Sequence, residues 1–215
     1  MSRPQRVSTD EIIKVARAHF IRRGHSASLK SIAEDLGFSH SALIQRFGSK
    51  RALLISALKP PQDFPWPTGF LAGPPPERDL AIKQLRELCE KLMKFLNAYV
   101  PQIKVLQSAG VTPQEVNQGR LPLPLMVCQR VKTWIEKGVK SGLFSSCDTA
   151  ALASMIVGTM LVRANLMTLC SSHDSITNDS ISQIELIGSM EGVIENMTRM
   201  LFGGGSPEEK SMSEF

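Results

Sequence analysis

Apolar residues recur along this chain at intervals of three and four, with polar residues filling the gaps. Ile12, Ala16 and Phe20 stand four apart, beside Ile13 and Ile21, which is the spacing of one face of an amphipathic helix. Ser8, with Glu11 three residues on, forms a capping-box start for that helix, and Gly24 ends it. The punctuation then repeats. Ser28 opens a short helix holding Ile32, Ala33 and Leu36 and closed by Gly37. Ser39 opens a third, with Leu43 and Phe47 on one face and Gly48 at its end. Ser49 opens a fourth through Ala52, Leu53, Leu54 and Leu58. No alternating strand pattern appears. The spacing predicts four short helices within residues 1–58.

The next segment changes character. Pro60, Pro61, Pro65, Pro67, Pro74, Pro75 and Pro76 exclude helix and sheet interiors between Lys59 and Arg78. Phe64, Trp66, Phe70 and Leu71 are too apolar for a free linker, so 59–78 reads as a proline-rich connection packed on a helical surface; the alternative is a partly mobile loop. Helical spacing then resumes. Leu80, Leu85, Leu88, Leu92, Phe95 and Leu96 predict a long helix from Asp79 to about Ala98, and Pro101 to Gln107 a short one. Pro122 to Lys140, with Leu125, Cys128, Val131, Trp134, Ile135 and Val139, predicts another helix, stopped by Gly142. Asp148 caps a long apolar helix to about Cys170. A polar loop over Ser171 to Asp179 leads to a last amphipathic helix, Ile181 to Phe202, which Gly203 ends; 204–215 reads as a flexible tail. The fold class expected is all-α.

Charge divides the chain at the same place as the helix pattern. Residues 1–58 carry ten basic and four acidic residues, a net of +6, whereas the remainder carries 15 basic and 16 acidic, a net of −1. A basic head on a near-neutral body fits either a polyanion partner or a solvated surface. Cys89, Cys128, Cys147 and Cys170 stand in or near apolar runs, and no two have metal-ligand spacing, which reads as reduced core thiols in an intracellular protein. No signal-peptide pattern opens the chain, and the most apolar run, Thr149 to Val162, is broken by Arg163 and Asn165 and is too short for a bilayer. The expectation is a cytoplasmic protein without a membrane segment.

Within the head, residues 28–39 give a short helix, a glycine turn and a new cap. The helix from Ser39 to Phe47 then has Leu43 and Phe47 toward the core. Ser41 and Gln45 point most directly away, flanked by Ala42 and Ile44, a face small and polar enough for a major groove. Lys30 and Lys50 lie in the first turns of their helices, where the macrodipole disfavours a cation; a bound phosphate would reverse that preference, and an ordinary exposed lysine is the alternative. Ala16, Phe20 and Gly24, then Ile32-Ala33-Glu34-Asp35-Leu36-Gly37-Phe38-Ser39, then Ala42-Leu43 with Phe47, then Ser49-Lys50 with Ala52-Leu53-Leu54 together resemble the DNA-binding domain of TetR-type transcriptional regulators. The resemblance spans about a fifth of the chain.

The resemblance implies a helix-turn-helix DNA-binding domain over 1–58 and a helical ligand-binding and dimerisation domain over 59–203. It implies a homodimer whose last two long helices pair into a four-helix bundle. The dimer would repress from a near-palindromic double-stranded DNA operator and be released by a small-molecule effector, so far unidentified. By position it places DNA contacts on Lys30, His40, Ser41, Ala42, Ile44, Gln45, Arg46 and Lys50. Family members usually carry an aromatic where this chain has Ile44, and often another at Arg46. Ile44 either meets a thymine methyl or packs half-buried, and Gln45 has the donor and acceptor that read adenine.

In the body, Cys89, Met93, Tyr99, Trp134, Met160 and Met167 could line an adaptable apolar effector pocket, or be plain core. Arg163, interrupting an apolar helix, faces either an anionic ligand or Glu191 or Glu195 across a helix interface. Ser154 and Gly158, four apart, permit close helix approach at a dimer face. No nucleophile with a base in recognisable context, phosphate loop or metal spacing is present, and His19, His25, His40 and His173 are scattered; the reading is a non-enzyme with no cofactor and no metal. The competing reading is a helical interaction protein whose basic head binds protein rather than DNA.

Overall fold

A computed structural model describes residues 7–61, 63–171 and 188–203. Arg3, Arg6, the polar loop from 172 on, the expected start of the last helix (181–187), the tail beyond Gly203 and the side chain of Cys170 lie outside the described residues. What is described is helical, with no strand. In chain order the helices are α1 (Thr9–Arg23), α2 (Leu29–Asp35), α3 (His40–Phe47), α4 (Lys50–Leu58), α5 (Arg78–Ser108), α6 (Pro113–Asn117), α7 (Leu123–Lys140), α8 (Thr149–Ser171) and α9 (Met190–Phe202). They fall into two compact units: residues up to Gln62 together with Ala98–Arg120, and Asp63–Asn97 together with residues from Leu121 on.

The first unit forms where the sequence places its caps. Ser8 Oγ accepts from Glu11 N at 3.1 Å, Ser28 Oγ from Lys30 N at 3.2 Å, Ser39 Oγ from Ala42 N at 3.2 Å and Ser49 Oγ from Ala52 N at 3.0 Å. Each satisfies a backbone donor that a helix start leaves open. Gly37, closing the turn between α2 and α3, has φ of +67°, a conformation costly for any residue with a Cβ. Ile12, Ala16 and Phe20 are fully buried with Ile32, Leu43, Leu53 and Leu58. Each large side chain among them contributes about 1.5–3 kcal/mol by leaving water. Leu106 and Val111 join the same cluster from far along the chain. The sequence boundary at residue 58 therefore does not enclose everything that completes this core.

Two helix assignments differ from the sequence reading. α5 runs unbroken to Ser108 with Pro101 inside it, where the spacing predicts two helices. A mid-helix proline removes one backbone bond and crowds the preceding turn, at about 3 kcal/mol. Burial of Val100 and Leu106 offsets that cost, and Gln102 Nε2 donates to the nearby Ala98 carbonyl at 2.8 Å. α6 has no counterpart in the apolar spacing. It opens with a full capping box, Thr112 Oγ1 accepting from Glu115 N and Glu115 Oε2 from Thr112 N, with Pro113 at its first position.

In the second unit the proline-rich segment packs. Phe64 and Phe70 are buried, and Phe70–Ala72 makes a single 3₁₀ turn. Phe64 contacts Phe95 edge-on at 5.6 Å, and Trp66 stacks on Phe70 and Phe70 on Trp134 at 5.4 and 5.3 Å between centroids. Trp134 continues to Phe144, and Phe144 to Phe202 of α9. Gly138 permits this run: a Cβ there would stand 2.0 Å from the Phe144 ring. Backbone carbonyls left open by the prolines take side-chain donors, Gln84 Nε2 to Thr68 O, Lys91 Nζ to Trp66 O, and Lys137 Nζ to Leu71 and Ala72 O. Gln84 is buried and bifunctional, since its Oε1 accepts from Trp134 Nε1 at 2.8 Å. α7 packs against α8, which Asp148 caps as expected through Ala150 N and Ala151 N.

α8 is longer than the apolar run that signals it, and residues Thr149–Thr168 are long and apolar enough by composition to cross a membrane. Leu152, Ile156, Met160, Arg163 and Ala164 are nevertheless buried along one face, and the Arg163 Nη1 donates to Gly188 O at 2.8 Å. That is the pattern of a core helix. Leu80 and Leu125, read as core-facing, are about half exposed.

The Gln84–Trp134 bond gives a direct test. Gln84→Leu keeps the volume but leaves the indole N–H buried without an acceptor and Thr68 O without its donor. Stability should fall by about 1–3 kcal/mol, read as a lower urea midpoint at unchanged slope. An unaltered midpoint would show that water replaces the amide at no cost.

Candidate nucleic-acid interface

α3 is eight residues long, too short to persist alone, so its outward face depends on how it is anchored. Leu43 is its one buried residue, and Ile44 and Phe47 are half-buried against the same core. His40, Ser41, Gln45 and Arg46 are exposed and Ala42 partly so. The structure thus brings these five side chains to one short helix and shares Ile44 between the surface and the core. Ser41 Oγ lies 2.9 Å from the cap hydroxyl of Ser39. Lys30 is exposed on α2, with Glu34 4.0 Å away in a pair that solvent largely screens. Lys50 opens α4 and is half-buried.

Three contacts that hold this surface are not legible as such in the sequence. His19, buried in α1, places Nε2 2.7 Å from Asp35 Oδ2 at the end of α2. Arg46, which the resemblance assigns to DNA, sends Nη1 to Val7 O at 3.0 Å and Nη2 to Thr9 Oγ1 at 2.5 Å. Arg51 of α4 makes four bonds: Nε and Nη2 pair with the Glu115 carboxylate at 3.0 and 2.9 Å, and Nη1 and Nη2 donate to Ala109 O and Gly110 O. A signal for α6 exists, since Thr112-Pro113-x-Glu115 is a capping box with proline at its first position; none exists for the partner of Arg51, because 64 residues separate it from Glu115. The backbone N–H of Thr112, and then Arg51, hold the Glu115 carboxyl below its ordinary value.

The effector candidates are placed less decisively. Cys89, Met93, Trp134, Met160 and Arg163 are buried in the second unit and Met167 is half-buried, whereas Tyr99 belongs to the stretch grouped with the first. Trp134 is engaged on its ring by Phe70 and Phe144 and on its N–H by Gln84. Glu191 pairs bidentately with Arg86, and Glu195 with Arg199. Burial, with the Glu90 carboxylate beside it, pushes the Cys89 thiol up to about 12, so it is a protonated thiol at neutral pH and no nucleophile. Among the described residues no three His, Cys, Asp or Glu side chains converge as metal ligands.

The Glu115 carboxyl titrates lower in the folded chain than its ordinary value of 4.5. The stability it contributes is therefore present above that pH and lost as pH falls through the depressed value. The stability difference between wild type and Glu115→Gln should be largest above about pH 4.5 and shrink on acidification. A difference that is constant with pH, in denaturant titrations across that range, would rule out the pairing as its source.

Comparison with known proteins agrees with this geometry. Residues 12–57 match the family of bacterial regulatory proteins of the tetR type. A structure described as the molecular basis for control of antibiotic production by a bacterial hormone superposes with a TM-score of 0.57 at 18% identity, over 91% of this chain and 99% of that one. A linker-substituted mutant of HlyIIR superposes at 0.53 and 14% identity, over 89% and 93%. AibR, solved in complex with isovaleryl coenzyme A and operator DNA, superposes at 0.52 and 14% identity, over 90% and 97%. No curated protein matches the sequence. The likeness in fold extends through the helical body, and it is the helix-turn-helix segment, residues 12–57, that matches the tetR family of bacterial regulatory proteins.

Proposed function

We propose that this protein is a cytoplasmic, non-enzymatic transcriptional repressor that binds a near-palindromic operator as a homodimer and is released by a small molecule. The observation that carries the reading is the exposure pattern of α3. Its polar residues His40, Ser41 and Gln45 stand outward on a helix anchored through Leu43, in the segment of the chain with a net charge of +6. Small polar side chains on a short helix are what a major groove admits, and the surrounding cations supply the sequence-independent attraction. Gln45 is the proposed base reader, with His40, Ser41, Ala42 and Ile44 beside it and Lys30 and Lys50 on phosphates. The proposed effector region is the set Cys89, Met93, Trp134, Met160 and Arg163, buried in the second unit, together with the half-buried Met167 of the same unit. That AibR combines this fold with an acyl-coenzyme A and operator DNA supports a ligand-responsive role.

The dimer reading draws on α8. Ala151, Ser154, Met155, Gly158 and Val162 recur at three- and four-residue spacing on its open side, with Met155 51% and Val162 56% exposed. A Cβ at Gly158 would meet nothing within 4 Å, so a second helix has room to approach. Met200 of α9 is also exposed. An apolar helical stripe of this kind suits a self-complementary interface.

Selection from genomic fragments by the purified protein should recover an inverted repeat, and Gln45→Ala should relax preference at one or two positions by about 1–3 kcal/mol each. Retention of no particular sequence would remove the operator reading. Val162→Asp should yield monomers in sedimentation and lose the inverted-repeat complex, since a buried carboxylate at the two-fold axis has no partner. A dimer that persists would move the interface off α8.

A further inference from the structure

α1 carries one polar side chain on its buried face. Ile12, Ala16 and Phe20 are fully buried, and His19 lies among them at 4% exposure. Its Nε2 stands 2.7 Å from Asp35 Oδ2, while Nδ1 is buried with no partner among the described residues. A buried N–H without an acceptor costs about as much as a lost hydrogen bond, so Nε2 is the donor of this pair. An apolar residue at position 19 would continue the face of α1 and leave no polar atom unsatisfied. The stability of the first unit therefore gives no reason for an imidazole here.

Asp35 is equally ill-placed as a local choice. It is the last residue of α2, where the helix dipole disfavours an anion, and no basic residue shares that turn. Its place on the path to the recognition helix supplies a reason. Two residues on, Gly37 turns the chain at φ of +67°, and four residues on, Ser39 caps α3. Between them the backbone is closely bonded: Leu36 N and Phe38 N donate to Ala33 O, and Gly37 N to Glu34 O. The end of α2, the turn and the start of α3 thus form one short bonded path, and the His19 bond ties that path to α1 at Asp35. The last turn of α3 is tied to the same helix through Arg46 and Thr9. Ile32 and Leu43 hold α2 and α3 to the core, but apolar burial has no direction and leaves small rotations open. A hydrogen bond to a buried ring closes them.

We propose that His19, through Asp35, is a positioning residue that sets the register of α3 against base edges, and so contributes to sequence discrimination rather than to binding as such. The proposal deepens the DNA-binding reading above and rests on it. Attraction to the phosphate backbone is indifferent to a small rotation of α3, whereas hydrogen bonds to base edges are not.

The test is equilibrium binding of the full chain to two duplexes, the inverted repeat recovered by selection and a mixed-sequence control, with urea unfolding of each variant alongside. His19→Leu should unfold at or above the wild-type urea midpoint, since an apolar group replaces a buried polar one and the released Asp35, with its side chain 60% exposed, is hydrated. Its preference for the repeat over the control should still fall by about five- to tenfold, the low end of what one mismatched base pair costs. Affinity for the control and its salt slope should stay as in the wild type, because no phosphate-bound cation is lost. Asp35→Asn and Asp35→Ala lose the same charge, but only asparagine keeps an acceptor for Nε2. Asp35→Asn should therefore keep the preference near wild type, and Asp35→Ala should lose it as His19→Leu does. Both change an exposed site and leave the core intact, so they decide the matter even where His19→Leu fails to fold. Equal loss in the two Asp35 variants would trace the effect to charge and overturn the proposal. A wild type that prefers neither duplex sinks the functional reading and this one with it; a wild type that discriminates, beside a His19→Leu or Asp35→Ala variant that discriminates as well, removes only the present proposal.

Discussion

An eight-residue helix has no stability of its own in water, and all that α3 presents depends on the frame that holds it. One buried side chain, Leu43, is its main anchor, with Ile44 and Phe47 half-buried beside it. The remainder of the first unit exists, in physical terms, to make that anchor specific. α1 supplies the face Ile12, Ala16 and Phe20, α4 supplies Leu53, Leu54, Ala57 and Leu58, and the glycine turn at Gly37 sets the path from α2 to α3. His40, Ser41, Gln45 and Arg46 are exposed, so substitutions at these positions on α3 leave the buried Leu43 anchor in place.

Polar bonds in this unit act on placement more than on net stability. Arg46 and Arg51 are both exposed enough that their pairs are screened, and isolated surface ion pairs contribute little. Their geometry carries the information. Arg51 meets a carboxylate and two carbonyls at once, and Arg46 meets a carbonyl and a hydroxyl. A fork bound at several points leaves one orientation open, whereas a hydrophobic contact of the same area would leave several.

In the second unit an aromatic run takes the place of helix-on-helix packing along the proline-rich stretch. Prolines remove donors and leave carbonyls free, so the segment can stay packed only if side chains supply hydrogen bonds. Gln84, Lys91 and Lys137 do so, while Phe64 and Phe70 supply the apolar burial. Gln84 joins the two requirements, because the same amide serves Thr68 and the buried Trp134 indole.

Whatever depends on neighbours within about four positions could be read directly along the chain. The four serine caps, the glycine stops, the buried face of α1, the Asp148 cap and the division of α3 into a core side and an open side follow from local donors, local φ and helical period. The all-helical class and the likeness of residues 12–57 to the tetR family follow from the same marks. Contacts between residues distant in sequence come from the folded chain: Leu106 and Val111 complete the first core, α5 continues through Pro101, Arg51 finds Glu115, and Arg46 turns to Val7 and Thr9. Local preference at Pro101 opposes the helix and loses to burial on either side, and an arginine's partner is chosen by whichever acceptor the folded chain brings within reach. Periodicity records which face of a helix is apolar, but it holds no record of what that face, or the cation beside it, will meet.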